Sequence, residues 1–218
     1  MNTQIDITKN GTTTLATAGK YCDRNIDVNV DALADFVQGT MTGEYVSDKV
    51  TSLKMAAFAQ CQNLRKVSLP NCVNFAAFRT FFGCSNIRTL DLRKLETIAD
   101  GTNTFGQMGK LQEISLPELV SVSAFNAMFD NCWEVKKINL AKLGGVTIGA
   151  NSFKGCYALK TLVLGGSTLN PLGNTNAFSD VNADLSIYVP DNLVASYKSA
   201  TNWTAYADKI KPISELEE

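Results

Sequence analysis

The chain has 218 residues, of which 45% are hydrophobic, and this length favours one main domain with its own core. Its 20 basic and 21 acidic residues give a net charge of -1, so the chain as a whole has no bias toward polyanions or membrane surfaces. It contains no histidine, which excludes Ser-His-Asp and Cys-His catalysis, histidine metal ligands and the usual proton shuttle near neutral pH. We therefore expect a binding or structural protein that is not an enzyme and needs no cofactor.

Residues 1–45 are expected to form a small β-hairpin element followed by a connector. Thr12–Leu15 and Asn25–Val30 alternate between polar and apolar residues as strands do, and Asn10-Gly11 indicates a tight turn. Ala32–Val37 has the pattern of a helical turn. No secretory signal is recognisable at the N-terminus, and no run of about 20 apolar residues predicts a membrane span.

Residues 46–180 contain a repeat that is expected to form a solenoid. Six phenylalanines are spaced 23, 24, 24, 24 and 25 residues apart, namely Phe58, Phe81, Phe105, Phe129, Phe153 and Phe178. A unit of this length cannot bury its apolar residues alone, so successive units must stack as coils. The apolar residue in the predicted strand of each coil should then lie in one buried column, formed by Val67, Leu90, Ile114, Ile138 and Leu162.

The repeat resembles the BspA-like bacterial class of leucine-rich repeats. The segment Cys61–Pro70, preceded by Ala57-Phe58, follows the class pattern C-x-x-L-x-x-[IV]-x-L-P, and Leu111–Pro117 and Ala177-Phe178 match it as well. The resemblance implies a β-rich α/β solenoid with a parallel sheet on the concave face and short strands or helical turns on the convex face. It also implies a non-enzymatic recognition module.

Residues 181–218 are expected to cap the open end of the solenoid. Leu185–Pro190 is predicted to be the last strand, and Asp191 to cap a helix in which Leu193 and Tyr197 share a face. A second group of apolar residues recurs at helical spacing before Pro212: Trp203, Tyr206, Ala207 and Ile210. The segment thus resembles the C-terminal cap common in BspA-like proteins.

The N-terminal segment Ile7–Thr12, continuing to Asp27–Val30, resembles the leader of predicted tail or minor structural proteins of phages and prophages of Gram-positive bacteria. This resemblance implies a protein of the phage tail whose N-terminus contacts other virion proteins and whose solenoid binds a bacterial surface ligand. Two alternatives remain open. One is a bacterial cell-surface adhesin of the BspA-like class, and the other is a purely structural spacer.

Four cysteines share one position of the repeat: Cys61, Cys84, Cys132 and Cys156. Equivalent positions of a solenoid form a line, whereas metal ligands must converge on one point, so we expect no metal site. The thiols are expected to be buried as small apolar side chains. In an oxidising environment, disulfides between Cys61 and Cys84 and between Cys132 and Cys156 remain open alternatives.

Basic residues dominate the outward strand positions of the repeat. Six of them are predicted to form a basic stripe on one sheet face, namely Arg65, Lys66, Arg88, Lys136, Lys137 and Lys160, with Glu113 as the acid among them. The stripe either keeps an exposed sheet soluble or binds an anionic partner, which would be a protein or an anionic surface glycan of a bacterial host. Nucleic acid is not expected, since neither stacking aromatics nor a known binding module accompanies the stripe.

Overall fold

The computed structural model describes residues 43–76 and 78–217 and, before them, three strands. These three are β1 (Gln4–Ile7), β2 (Thr12–Ala16) and β3 (Asp23–Asp27). They pair antiparallel in the order β1-β2-β3, so the predicted hairpin is present as β2 and β3 with a further strand beside it. The Asn10-Gly11 turn and the Ala32–Val37 turn lie outside the described residues, and the division into three domains stays a prediction.

From Gly43 onward the chain winds as a solenoid of short, mostly parallel strands. In chain order they are β4 (Glu44–Val46), β5 (Ser52–Leu53), β6 (Lys66–Ser68), β7 (Asn74–Phe75), β8 (Thr89–Asp91), β9 (Thr97–Ile98), β10 (Glu113–Ser115), β11 (Ser121–Val122), β12 (Lys137–Leu140), β13 (Thr161–Leu164), β14 (Ser186–Val189) and β15 (Ile210–Pro212). The predicted β-rich leucine-rich repeat solenoid is confirmed, since parallel strands at repeat spacing stack side by side.

Two series of strands form two sides of each coil. On the first side, β4-β6-β8 form one parallel sheet and β10-β12-β13-β14-β15 form another. On the second side, β5-β7-β9-β11 pair in parallel, and two single bridges, from Phe125 to Ile148 and from Ile148 to Leu172, continue the series. Strand β3 pairs antiparallel with β5, so the N-terminal strands extend the second side.

The predicted apolar column forms with one exception. Val67 pairs with Leu90, and Ile114, Ile138 and Leu162 follow one another in register. All of them are fully buried except Leu90, which is half-buried. Leu90 lies on β8, the last strand before the ladder of the first side is interrupted.

The repeated phenylalanines stack as a continuous column through the core. Consecutive ring centroids are 5.0 to 6.0 Å apart, and the ring planes differ by 2 to 12°. Tyr45 meets Phe58 at one end, and Trp203 and Tyr206 meet Phe178 at the other. The column is therefore covered by an aromatic residue at both ends, which keeps the terminal rings out of water.

The C-terminal segment caps the solenoid, but in a different way from the sequence-based expectation. Its one α-helix among the described residues is α1 (Val194–Ser199), and 3-10 turns flank it at 191–193 and 203–209. Ile210 belongs to β15, which pairs in parallel with β14, so Leu185–Pro190 does not contain the last strand. The prediction that Ile210 is helical was wrong. The preceding 3-10 turn is kinked at Tyr206, and the chain beyond it continues as a strand of the sheet.

Asp191 does not cap the helix either. Its Oδ1 accepts a hydrogen bond from the backbone N–H of Ser214 at 3.2 Å, which ties a final 3-10 turn, Ile213–Glu215, to the start of the cap. The residue before α1 is Leu193, and no side chain bonds to that helix end. The Asp191 carboxylate, which the sequence pattern predicted to cap the following helix, therefore accepts its hydrogen bond from a residue far along the chain.

Five of the six cysteines are described, and all five are buried and form no disulfide with one another. Three thiols donate to the carbonyl of a column phenylalanine one coil earlier: Cys84 to Phe58 O at 2.8 Å, Cys132 to Phe105 O at 3.1 Å and Cys156 to Phe129 O at 3.1 Å. The structure thus contains neither of the two disulfides that were open alternatives. The repeated cysteine instead links the turns of neighbouring coils.

We expect the folded protein to resist thiol reagents. Burial raises the pKa of the Cys72 thiol to about 12, and a hydrogen bond with the Cys132 thiol, together with burial, raises the pKa of Cys156. A reagent that attacks thiolates should therefore label at most one cysteine, Cys22, in the native protein and all six after unfolding. Rapid labelling of two or more thiols under native conditions would contradict this expectation.

No helix in the described part of the chain is long and apolar enough to cross a membrane.

Candidate functional site

The strands of the first side present the predicted basic stripe to solvent. Strands β4, β6 and β10 bury their central residue and turn the two flanking residues outward, as in β6, where Val67 is buried between Lys66 and Ser68. Neighbouring strands pair in register, so outward residues at equivalent positions of successive coils form columns. We call the outward surface of these strands the basic face.

The structure brings the six predicted residues together as two groups rather than one stripe. Arg65 and Arg88 are neighbours, since the N–H of Arg88 donates to the carbonyl of Arg65, and Lys66 lies beside Thr89. On the far side of the ladder interruption, Lys136 is linked in the same way to Lys160. The groups are therefore Arg65, Lys66 and Arg88 on one sheet and Lys136, Lys137 and Lys160 on the other.

Neutral and acidic side chains separate the two groups. Gln112 precedes Lys136 in its column, and Glu113 precedes Lys137. The sequence places the six cations at equal repeat spacing, and the hydrogen-bonded sheet that carries them is divided between β8 and β10. Their role as a binding surface stays a prediction.

Five of the six cations have no ion-pair partner among the described residues. Lys66 is the exception, with its Nζ 3.5 Å from a carboxylate oxygen of Glu44, and both side chains are largely exposed. An exposed pair of this kind contributes little to stability, but it removes one positive charge from the face. The charges available to an anionic partner are those of Arg65, Arg88, Lys136, Lys137 and Lys160.

A second carboxylate on this face is neutralised by a neighbour in sequence. Asp91 accepts two hydrogen bonds from the Arg93 guanidinium, at 2.9 and 2.6 Å, and one from the Ser68 hydroxyl at 3.0 Å. These bonds, with that to Arg93 as the main cause, hold the pKa of Asp91 below its ordinary value. Asp91 is therefore ionised at neutral pH and already paired, so it does not oppose an anionic ligand strongly.

Sequence reasoning missed three charged residues of the basic face. Glu44 lies on β4, and Lys209 and Lys211 flank the buried Ile210 of β15. Both segments alternate around one buried residue, Tyr45 in the first and Ile210 in the second. That alternation was the available signal, but neither segment carries the repeat's own phenylalanine and cysteine, so both escaped the repeat pattern.

The basic character fades toward the C-terminal end of the face. An open depression of ≈ 500 Å³ is lined there by Thr161, Tyr188, Lys211, Glu215, Leu216 and Glu217. The Lys211 ammonium lies 6.0 Å from the centre of the Tyr188 ring, and the two glutamates bring negative charge to the same place. The strongest positive surface is therefore confined to residues 65–160.

The described residues include no cluster of three or more His, Cys, Asp or Glu side chains that could hold a metal ion. The cysteine column does not converge on one point, and three of its four thiols donate to a carbonyl of the preceding coil. Nothing in the arrangement of the basic face provides a nucleophile next to a base. Its chemistry is that of an exposed, positively charged surface.

Comparison with solved structures finds similar proteins of low identity, among them two leucine-rich repeat proteins. A leucine-rich repeat protein of T. pallidum is 18% identical, with a TM-score of 0.39, over 75% of this chain and 79% of that one. A leucine-rich repeat protein from Bacteroides ovatus is 14% identical, with a TM-score of 0.42, over 88% of this chain and 55% of that one. The chain thus spans about half the length of the second protein. Among curated proteins no sequence matches it.

Comparison with protein families gives a direct assignment. The model of the BspA type leucine-rich repeat region matches six copies of its repeat, over residues 36–160 and 126–204. Nothing in the comparisons supports the resemblance of the N-terminal segment to phage tail proteins. Since the matched repeats cover most of the chain and coincide with the stacked coils, this protein belongs to the BspA-type leucine-rich repeat family.

Proposed function

We propose that this protein is a non-catalytic recognition module that binds an acidic protein at a bacterial surface through its basic face. As a BspA-type leucine-rich repeat region the chain is a protein-binding repeat module, and such repeats are generally non-catalytic. The observation that carries the proposal is the set of five outward cations that lack an ion-pair partner among the described residues: Arg65, Arg88, Lys136, Lys137 and Lys160. An anionic glycan is the second candidate ligand.

The family favours a bacterial cell-surface adhesin as the setting for this module. The alternative setting, a phage tail in which residues 1–45 contact other virion proteins, rests on the N-terminal resemblance alone. The two settings differ in where the protein is found. Antibodies against the solenoid should label intact cells of the source bacterium if the protein is an adhesin, and purified phage particles if it is a tail protein.

The basic face is tested by reversing two of its charges. In Lys136→Glu/Lys137→Glu each substitution turns a positive charge negative in the group with no ion-pair partner. We expect the labelled variant to bind a panel of intact bacterial cells at least about tenfold more weakly than wild type at low salt, with a flatter dependence on salt. Its free energy of unfolding should stay within about 0.5 kcal/mol of wild type, because neither ammonium group lies in the core.

The matched control reverses two charges elsewhere, in Lys94→Glu/Lys198→Glu. Both lysines are exposed, and neither lies on a strand of the basic face. This control should bind as wild type does. Treating the cells with protease should abolish binding if the ligand is a protein and leave it intact if the ligand is an anionic glycan. Equal binding by both double variants would show that the basic face is not the site, and wild type that binds no cells would favour the structural spacer.

A further inference from the structure

The turns that carry the stacked phenylalanines form a third side of the solenoid, and an open groove of ≈ 320 Å³ lies along it. The groove is lined by Gln60, Gln62, Gly83, Ser85, Gln107, Asn131 and Trp133. Its volume is at the lower end of the ~300–1,000 Å³ typical of small-molecule sites. Since none of its lining residues carries a charge, the groove is a poor match for an ionic ligand.

Two rows of equivalent turn positions build the groove. In the first row, Gln60, Gly83, Gln107 and Asn131 all have positive φ, between 57 and 72°. Each N–H of this row donates to a carbonyl of the next coil, at 2.7 to 2.9 Å, so the floor is a hydrogen-bonded ladder. Gly83 is the gap in the row, because a Cβ there would lie 2.5 Å from the Gln60 side chain. The absence of a side chain at Gly83 makes room for the Gln60 carboxamide, which lies across this coil in the groove lining.

In the second row, Trp133 provides a flat wall. Its indole lies over Gly109, where a Cβ would come within 2.9 Å of the ring, and its Nε1–H points to the Asn131 Oδ1 at 3.4 Å. The side chain is 53% exposed although it is one of the most apolar in the chain. Trp203, the other tryptophan, is fully buried in the cap, so this fold can bury an indole, and the exposure of Trp133 is a feature of its position.

The amide groups of the groove are available to a ligand. The side chains of Gln60, Gln62 and Gln107 make no hydrogen bond to any described residue, and each offers both an N–H donor pair and a carbonyl acceptor. Such groups match hydroxyl groups, which also donate and accept. The face of an indole carries partial negative charge, and it attracts the weakly positive C–H groups on the flat side of a sugar ring.

We propose that this groove is a binding subsite for a neutral saccharide. The sugar ring lies against the exposed face of Trp133, and its hydroxyl groups bond to the carboxamides of Gln60, Gln62 and Gln107. Nearby charges are already engaged: the Asp130 carboxylate accepts a hydrogen bond from the Asn131 Nδ2 at 2.9 Å, and Lys110 and Glu134 form a salt bridge. A single-stranded nucleic acid would also stack on an indole, but it needs cations along its backbone, and the lining has none. The subsite is separate from the basic face and does not depend on its function.

Tryptophan fluorescence tests the proposal on the intact chain. Wild type is titrated with neutral oligosaccharides of glucose, mannose, galactose and N-acetylglucosamine up to about 10 mM, which detects dissociation constants in the millimolar range. We expect at least one of them to shift the emission to shorter wavelength in a saturable way, because stacking removes water from Trp133 while Trp203 is buried already. The affinity should change less than about twofold between low and high salt, since no charge takes part.

Three variants make the test specific. Trp133→Ala should lower the affinity at least about tenfold by isothermal titration calorimetry, and Gln62→Ala should lower it by a smaller factor. Tyr157→Ala is the matched control, because Tyr157 is an equally exposed aromatic, at 58%, one coil further on and outside the groove lining. Tyr157→Ala and Lys136→Glu/Lys137→Glu should bind the sugar as wild type does.

Two results would overturn the proposal. One is the absence of any saturable signal in wild type across the whole panel. The other is a Trp133→Ala variant that melts at the wild-type temperature and binds the sugar with unchanged affinity. Loss of sugar binding in Lys136→Glu/Lys137→Glu, with Trp133→Ala unaffected, would place the ligand on the basic face instead.

Discussion

Phe105→Ala is expected to destabilise the protein by about 3–5 kcal/mol, because it opens a large cavity in the middle of the aromatic column. The Phe105 ring is fully buried and stacked between Phe81 at 6.0 Å and Phe129 at 5.4 Å, and Phe75 tilts against it at 6.1 Å. Neighbouring coils cannot close this gap, since their own rings are held by the strands on either side. Urea unfolding followed by circular dichroism measures the loss.

The position of Phe105 adds a second expectation. In a solenoid each coil contacts only its neighbours, so a weak central interface can separate the unfolding of the two ends. The variant should therefore unfold over a broader range of urea than wild type. Tyr157→Ala, which removes an exposed aromatic, is the control and should cost less than about 0.5 kcal/mol. If Phe105→Ala lowers the free energy of unfolding by less than about 1 kcal/mol, the phenylalanine column does not contribute substantially to the stability of the core.

Asn170→Ala is expected to cost about 3 kcal/mol, because several polar groups in the cap depend on this one buried side chain. Its Nδ2 donates to the carbonyl of Leu143 at 3.0 Å and to the Tyr197 hydroxyl at 3.1 Å. Its Oδ1 accepts from the backbone N–H of Val146 at 3.0 Å. The alanine would leave these partners without a hydrogen bond where water has little access.

The backbone of Asn170 ties the same network to both aromatic residues of the cap. Its N–H donates to the Tyr197 hydroxyl at 2.9 Å, and its carbonyl accepts from the Trp203 Nε1–H at 2.8 Å. Tyr197→Phe should therefore also lower the free energy of unfolding. The double variant with Asn170→Ala should lower it by less than the sum of the two single losses. Asn86→Ala is the control, since its exposed side chain makes one bond, to Gln62 O, and its loss should cost less than about 1 kcal/mol.

The Tyr197 hydroxyl gives this network a dependence on pH. Burial raises its pKa above the ordinary value of 10.0, and the N–H donors of Asn170 oppose the shift to a lesser degree. The folded state holds the phenolic proton more tightly than the unfolded state does, so the stabilisation is complete below pH 10 and is lost as the pH rises above it. Wild type should lose stability at alkaline pH more steeply than Tyr197→Phe. Parallel curves for the two proteins would contradict the assignment.

The repeat alone was enough to determine the coil and its core. A residue that recurs at fixed spacing must occupy the same place in every coil, so the phenylalanine column and most of the buried strand column follow from the spacing of the sequence. The cysteines could be placed inside for the same reason. Their bonds to phenylalanine carbonyls could not be foreseen, because these depend on how far one coil is displaced from the next.

Only the tertiary structure showed which outward-facing residues lie next to one another on the surface. The six predicted cations stand at repeat spacing, yet the interruption between β8 and β10 divides them, and Glu44 neutralises Lys66 from a strand that lacks the repeat signature. Strand β15 joins the sheet although Ile210 fits a helical pattern, because pairing with β14 satisfies its backbone better than another turn would. The groove beside Trp133 depends on the absence of a side chain at Gly83 and Gly109, in two different coils. The repeat spacing predicts the residues that occupy equivalent positions in every coil. The binding surfaces are formed by residues that differ from coil to coil, and their neighbours are known only from the folded structure.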